Sequence, residues 1–297
     1  MLTVAPLLAW AEGLGSFAAW QWACTVPALV LVTATLVWWW RSGRFPDTVL
    51  AARAGVIGGL LGTVAYDLVR IPILATGRQV LAPIDSYGIL LLSARASSPV
   101  TGFAGWMFHF QNGIFFGLAF ALVMSGRRIW WAVGYALVLE SGAVFSRFAE
   151  YYHLRGKADL IAIAYLAHIP YGLALGWMTA APARRMEPWD RSLRAPVAAC
   201  LVALVGVLVL WHRPFATAES SAIEIRADRF SPRWVRVPQG DCVVVTNRDD
   251  TRAALDDGPA IAAGKTVRWC PTGAGIHRTK ISGRGGSGGY VIVDPAG

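Results

Sequence analysis

Six long apolar runs, separated by short polar segments, dominate the first 212 residues of the chain. Each run has about the 17–25 residues that a helix needs to cross the hydrocarbon core of a bilayer. The runs are Cys24–Trp40, Val49–Pro72, Gly102–Met124, Ile129–Ala149, Ala158–Thr179 and Pro196–Trp211. The pattern predicts an α-helical integral membrane domain of about six transmembrane helices over residues 1–212.

A different pattern begins at Arg213. Short stretches rich in β-branched and aromatic residues alternate with turn residues, as is typical of strands joined by tight turns. The predicted strands are Ala222–Ala227, Trp234–Val237, Asp241–Thr246, Thr266–Cys270 and Tyr290–Val293. Residues 213–297 are therefore expected to form a small all-β domain attached to the last helix.

The composition supports a membrane protein. Hydrophobic residues make up 55% of the chain and charged residues 15%, whereas soluble proteins carry roughly 25% charged residues. This excludes a disordered chain and disfavours a purely soluble enzyme. The net charge of +9 could indicate nucleic-acid binding, but arginines in cytoplasmic loops of a membrane protein fix its orientation. We expect contact with a lipid bilayer and none with nucleic acid.

Basic residues are distributed unequally between the two sides of the predicted membrane domain. One side carries nine on short connections, namely Arg41, Arg44, Arg53, Arg127, Arg128, Arg184, Arg185, Arg191 and Arg194. The other side carries six on longer ones, namely Arg70, Arg78, Arg95, Arg147, Arg155 and Lys157. The positive-inside rule places the richer side in the cytoplasm. We expect a multi-pass protein of the bacterial inner membrane, with its β domain outside the cytoplasm.

Two cysteines lie in the predicted β domain, Cys242 and Cys270, each within or at the end of a predicted strand. Disulfides form in oxidising compartments outside the cytoplasm. If the β domain lies there, a disulfide between these two cysteines is expected.

A nine-residue pattern, H-x-x-x-G-x-x-x-G, occurs twice in the membrane domain. It runs from His109 to Gly117 and from His168 to Gly176, each time in a helix that follows another apolar helix. The pattern predicts a helix pair used twice in parallel orientation. Small residues four apart also favour close helix packing, so the repeated histidine is the more informative part.

Several ionisable residues fall inside the apolar runs. Asp67 and Glu140 lie in the helices that precede the two histidine helices, and Arg147 and Glu150 follow Glu140 by seven and ten residues. That spacing would place the last three on one helical face. Ionisable groups in a bilayer usually face the bundle interior, so we expect this set to converge on the histidines.

Three interpretations of the cluster remain open. The first is an ion-paired network that holds helices together. The second is a metal site in which His109, His168, Asp67 and Glu150 bind copper or another transition metal. The third is a bis-histidine haem b site, with Arg70 and Arg147 near the propionates. The residues do not decide among these, and a chain without any cofactor is compatible with the first.

Motifs for common enzyme chemistry are few. Glu150 and His153 have the E-x-x-H spacing of di-iron bundles, but it occurs once where such sites need two copies. No G-x-S-x-G, P-loop, H-E-x-x-H or C-x-x-C motif is present. Nucleophilic and phosphoryl-transfer enzymes are disfavoured, and whether the chain is an enzyme stays undecided.

The β domain resembles the cupredoxin family over about 75 residues. The residues that carry the resemblance are Phe230–Pro232, Val235–Asp241, Val243–Asp249 and Gly289–Val293. The resemblance implies a copper-binding His near Arg252 or Ala253 and a Cys, His and Met before the last strand, but the segment 280–289 contains none of them. The implied fold is a cupredoxin-like sandwich without its copper ligands. The membrane half is similar to uncharacterised four-helix bacterial inner-membrane families.

Two functional hypotheses follow, and a transporter ranks third, because the inverted repeats and broken helices expected of many transporters are not evident apart from Pro170 inside a helix. The first is a metal-handling or redox-associated membrane protein with an intramembrane His/carboxylate site. The second is a non-catalytic accessory subunit of a larger membrane complex, whose β domain docks on partner subunits. The apolar segment 73–101 is expected either to cover the histidine site as an interfacial helix or to contact a partner.

Overall fold

The computed structural model describes residues 5–73, 76, 82–152, 154, 156–187, 222–227, 229–255, 258–279, 281 and 288–295. Helices form the N-terminal part: α1 Ala5–Ala11, α2 Phe17–Trp20, α3 Val26–Ser42, α4 Pro46–Ile73, α5 Ala82–Leu91, α6 Pro99–Met124, α7 Ile129–Val144, α8 Arg147–Tyr151, α9 Ala158–Ala180 and α10 Pro182–Met186. A π-helical turn, Gln21–Thr25, joins α2 and α3 into one continuous helix.

Four helices are long and apolar enough to cross a membrane: Phe17–Ser42, α4, α6 and α9. This confirms a membrane-type helical domain. The described part of the chain does not contain the six predicted spans, since α7 has only 16 residues. The predicted span Pro196–Trp211 lies outside the described residues.

The prediction of one helix over Ile129–Ala149 was wrong. Helix α7 ends at Val144, and the side chain of Ser146 accepts a hydrogen bond from the backbone N–H of Phe148 to begin α8. A serine that caps a new helix competes with continuation of the old one. Arg147 and Glu150 therefore do not share a helical face with Glu140.

Helix α4 lies between α6 and α9, and small residues form both contacts. Gly55 and Gly59 face the backbone of α6 at Gly117 and Gly113 respectively, so α4 and α6 are antiparallel. On the other side, the contact residues are Gly58 with Leu175 and Gly62 with Tyr171. Helix α9 is thus also antiparallel to α4, and α6 and α9 run in the same direction.

Helix α7 packs on α9 through glycines as well. Gly172 lies against Val133, and Gly176 lies against Ile129, again in antiparallel order. The helix directions bring one set of arginines to the same end of the bundle. This arginine-rich end consists of Arg41, Arg44, Arg53, Arg127, Arg128, Arg184 and Arg185.

The C-terminal part is a β-sheet domain with strands β1 Ala222–Arg226, β2 Arg229–Ser231, β3 Trp234–Val237, β4 Val243–Asn247, β5 Ala253–Ala254, β6 Ala260–Ile261, β7 Thr266–Trp269, β8 Gly275–Thr279 and β9 Gly289–Val293. Four strands form a sheet in the order β2-β1-β4-β7 and three in the order β3-β9-β8, with a separate β5-β6 hairpin. Pairs β1–β4 and β3–β9 are parallel, and the other pairs are antiparallel.

A single apolar core lies within the β domain. Alternate residues of β1 and β4, such as Ile223 and Val245, are at most 1% exposed and contact Val235 and Val291 of the other sheet. Such alternation is expected of strands with one buried face. A disulfide joins Cys242, just before β4, to Cys270, just after β7.

The β domain is attached to the helices at the end opposite the arginine-rich end. Ala96 forms an antiparallel bridge with Val235, and the backbone N–H of Arg236 donates to the carbonyl of Arg95. Both parts contribute to one apolar cluster, which we call the interface cluster. It consists of Leu7, Trp10, Phe17, Ile89, Leu90, Phe108, Tyr151, Trp234, Ile276, Tyr290 and Ile292. The described part of segment 73–101 thus contacts the chain's own β domain, through α5 and through the residues that follow it.

Paired histidines and carboxylates as a candidate functional site

The first histidine of the repeated pattern pairs with a carboxylate of the neighbouring helix. His109 of α6 places Nε2 3.0 Å from Oδ2 and 3.2 Å from Oδ1 of Asp67 on α4. The N–H of the imidazole donates to the carboxylate. Arg70, one turn further along α4, lies 3.4 Å from the same carboxylate. Asp67 is 5% exposed, so these contacts replace the hydration that it loses on burial.

The second histidine also lies close to a carboxylate, although its hydrogen bond goes to a backbone carbonyl. His168 of α9 places Nδ1 3.4 Å from Oε2 of Glu140 on α7. The same nitrogen donates a hydrogen bond of 2.8 Å to the backbone carbonyl of Ala164. Each histidine therefore contacts a carboxylate from the helix that precedes its own in the bundle.

Tyr66 connects the two pairs. Its ring centroid lies 4.8 Å from that of His168 and 5.9 Å from that of His109. The guanidinium of Arg70 stands over the same ring at 4.7 Å, as in a cation–π contact. The two pairs, Tyr66 and Arg70 make one contiguous polar group from four helices, which we call the polar centre.

Both histidines lie at the same height in the bundle. Each is ten residues after the first residue of its helix, Pro99 in α6 and Ala158 in α9. At 1.5 Å per residue this is about 15 Å, roughly half of the hydrocarbon thickness of a bilayer. In a helix that crosses a bilayer from end to end, this position is the one where an unpaired charge is most unfavourable.

The glycines of the repeated pattern explain why the pairs form. Residues four and eight positions apart lie on one broad helix face. In α6 the glycine face packs on α4, and in α9 it packs on α7. The histidine at the start of each pattern extends the same face toward the neighbouring helix, where Asp67 and Glu140 are located.

The structure brings together only part of the predicted set. Asp67, His109, His168 and Arg70 belong to the polar centre, whereas Glu150 is exposed on α8. Arg147 pairs with Glu12 at 3.1 Å, and both side chains are largely exposed. The carboxylate next to His168 is that of Glu140, whereas the predicted site contained Glu150. Tyr66 was not predicted, although it directly precedes Asp67.

The metal and haem hypotheses gain no direct support from this geometry. In the described part of the chain, no three His, Cys, Asp or Glu side chains are close enough to hold a metal ion. The positive charge of Arg70 beside Asp67 opposes a second cation there. Arg70 and Arg147 already contact carboxylates, so the described residues hold neither of them ready for a haem propionate.

The β domain does not fit a cupredoxin copper site. Ala253 is buried in β5, and Cys270 belongs to the disulfide. His277 of β8 donates from Nε2 to the carbonyl of Gly273. A thiolate and imidazole set of the kind that holds blue copper cannot be assembled from these residues.

Comparison with known proteins shows no family for this chain. No protein-family model and no curated protein matches the chain. One similar solved structure is a novel purple cupredoxin from Nitrosopumilus maritimus. It is 20% identical, with a TM-score of 0.21, and the match covers 25% of this chain and 98% of that chain. A similarity this weak establishes neither a family nor an activity for the chain.

Proposed function

We propose that the membrane domain transfers protons and that the polar centre is the group that binds them. The observation that carries this proposal is the pair of His–carboxylate contacts at one depth, His109 with Asp67 and His168 with Glu140, joined by Tyr66. Ionisable residues inside membrane helices commonly mark ion pathways and proton relays.

The charges of the first pair suit reversible proton binding. When His109 is neutral, Arg70 balances the charge of Asp67 at 3.4 Å. When His109 takes up a proton at Nδ1, the imidazolium keeps its Nε2–H contact with Asp67 at 3.0 Å. In both states the carboxylate of Asp67 keeps a cationic partner, and in the protonated state the three groups together carry one net positive charge.

The second pair supplies the acceptor. Tyr66 carries a hydroxyl, which both donates and accepts protons, on a ring in contact with both imidazoles. A proton released by His109 passes to Nε2 of His168. The proton on Nδ1 of His168, which is hydrogen-bonded to the carbonyl of Ala164 in this structure, then moves to Glu140, whose Oε2 lies 3.4 Å from that nitrogen. One proton enters and one leaves, with no oxidation or reduction.

Vesicles containing the purified full chain test the proposal. With a pH-sensitive dye inside and a potassium diffusion potential imposed by valinomycin, we expect proton flux above that of protein-free vesicles. Asp67→Asn removes the charge that holds the protonated imidazole of His109, and Glu140→Gln removes the final proton acceptor. Each is expected to reduce the flux about 100-fold, which is the lower end of the range of rate effects seen when a positioned acid–base group is lost.

The matched control is Glu12→Gln, which removes an exposed carboxylate that pairs with Arg147 outside the polar centre. This variant should keep the full flux. Wild-type flux equal to that of protein-free vesicles contradicts the proposal, as does full flux in both Asp67→Asn and Glu140→Gln.

The metal-handling hypothesis stays a prediction, and the same preparation tests it. Stoichiometric copper, zinc or iron in elemental analysis of the wild type, lost in His109→Ala, favours metal handling over proton transfer. A Soret absorption band favours haem.

An accessory role is the second candidate, because very little of the first span is buried against the other helices. Only 6% of the most apolar stretch of Phe17–Ser42 is buried, against 28–56% for the other three candidate spans. A helix face of this kind is available to another membrane protein. Extraction in mild detergent and a native gel test the role: a stoichiometric second chain supports it, and migration only as a single chain contradicts it.

A further inference from the structure

A cleft of about 260 Å³ lies between α3 and α4 at the arginine-rich end. Its walls include Trp39, Trp40, Arg44, Val49, Leu50 and Arg53. The turn that forms it depends on Gly43, which has a left-handed φ of 64° and donates its N–H to the last carbonyls of α3. Glycine adopts this conformation without strain, and α4 begins three residues later at Pro46.

The cleft combines positive charge with aromatic walls. Arg44 and Arg53 line it, and Arg44 also stands 5.2 Å over the ring of Trp38. Arg41 ends α3, and Asp47 in the first turn of α4 is the nearby carboxylate. The other arginines of the arginine-rich end add to the positive potential. Anions are therefore favoured at this position.

The surface next to the cleft is apolar and unpartnered. Val30, Leu31 and Val37 of α3 are 40–69% exposed, and these residues lie on the membrane-spanning part of the helix. Tryptophan is enriched at the height of lipid headgroups. An inorganic anion would use only the arginines, whereas a phospholipid would use the arginines, the indoles and the apolar helix surface together.

We propose that this cleft binds an anionic phospholipid. The phosphate group lies between Arg44 and Arg53, and the acyl chains follow the exposed face of α3. Basic pockets between transmembrane helices are known to take anionic headgroups. The bound lipid would fill the space between α3 and α4 and so hold the first span against the bundle. The proposal is independent of proton transfer.

Native mass spectrometry of the delipidated full chain provides the test. It is titrated with phosphatidylglycerol and, separately, with phosphatidylcholine of the same acyl chains. We expect phosphatidylglycerol to be retained at lower concentration. Each arginine contributes about fivefold at an anionic lipid surface, so R44Q should weaken its binding about fivefold and R44Q/R53Q about 25-fold. The single variant changes an exposed turn residue, which keeps the test valid if the double variant fails to fold.

The matched control is R127Q/R128Q, which removes two arginines from the same end but not from the cleft. This variant should bind phosphatidylglycerol as the wild type does. Equal retention of the two lipids, or equal weakening in R127Q/R128Q and R44Q/R53Q, overturns the proposal. Displacement of the lipid by an equal concentration of inorganic phosphate identifies a free-anion site instead and also overturns it.

Discussion

Asp67 has more contacts than Glu140, the other carboxylate of the polar centre, since an imidazole and a guanidinium both lie within 3.4 Å of it. Its charge is compensated from two sides, whereas Glu140 contacts a single histidine in the described structure. This asymmetry gives the two pairs different roles in our proposal. The Asp67 pair binds the proton, and the Glu140 pair accepts it.

A third carboxylate, that of Asp85 in α5, is partly buried outside the spans, where the helices meet the β domain. Burial raises its pKa, and the positive charge of Arg233 partly offsets this effect. Because the folded-state pKa lies above the unfolded-state value, Asp85 favours folding below the unfolded-state pKa, and this contribution is lost as the pH rises through the folded-state pKa.

Asp85→Asn should therefore raise the unfolding temperature at neutral pH and leave it unchanged at acid pH, where Asp85 is protonated in both states. Thermal unfolding of the purified chain, followed by tryptophan fluorescence across the pH range, measures the difference. A variant that is less stable than the wild type at neutral pH would show that the charge on Asp85 stabilises the fold through Arg233.

Residue types alone predicted much of the polar centre. Asp67, His109 and His168 stand out because they are ionisable within apolar runs. The choice between Glu140 and Glu150 was not predictable, because it depends on where α7 ends. Tyr66 gave no signal, since tyrosine is common in membrane helices and its role arises only from the rotation of α4 against α6 and α9.

At the scale of elements, close helix contacts fix the positions of the histidines. A Cβ atom at Gly172 would lie 2.5 Å from Cα of Val133. Gly172→Leu should therefore push α9 away from α7 and lower the stability by about 1–3 kcal/mol, the usual range for overpacking. It should also reduce proton flux, because His168 moves away from Glu140.

The control is Gly134→Leu on α7, where no atom lies within 4 Å of the added carbon. This variant should unfold at the wild-type temperature and keep its flux. Equal effects of the two substitutions would mean that a loss of helix flexibility, rather than packing, explains the result.

Helices and strands were predicted correctly where the apolar stretch is long. They were predicted wrongly where a local contact determines where an element ends or which strand it pairs with. The spans at α4, α6 and α9 followed from long apolar runs. The strands around Val235, Val245 and Val291 followed from stretches rich in β-branched residues between turns. Strands β2, β5, β6 and β8 were missed. Strand β8 contains Gly275, His277 and Arg278, and only its pairing with β9 makes it a strand.

At the scale of the whole molecule, the β domain and the helices form one connected structure. Trp234 of β3 is 1% exposed and stacks on Tyr290 within the interface cluster, with the ring centroids 4.0 Å apart. Phe108 of the same cluster directly precedes His109. The β domain is therefore fixed to the helix that carries one half of the polar centre, although it has no copper ligands of its own.

The central claim is that the His109–Asp67 pair and Glu140 exchange protons inside the membrane domain. Infrared difference spectroscopy of the full chain during a pH titration measures this directly, through the ring bands of the imidazole and the C=O stretching band of a protonated carboxyl group. Our account predicts that Asp67→Asn removes or shifts the titrating imidazole bands, that Glu140→Gln removes the titrating C=O band, and that the double variant lacks both. Identical titration spectra of the wild type and the double variant would contradict it.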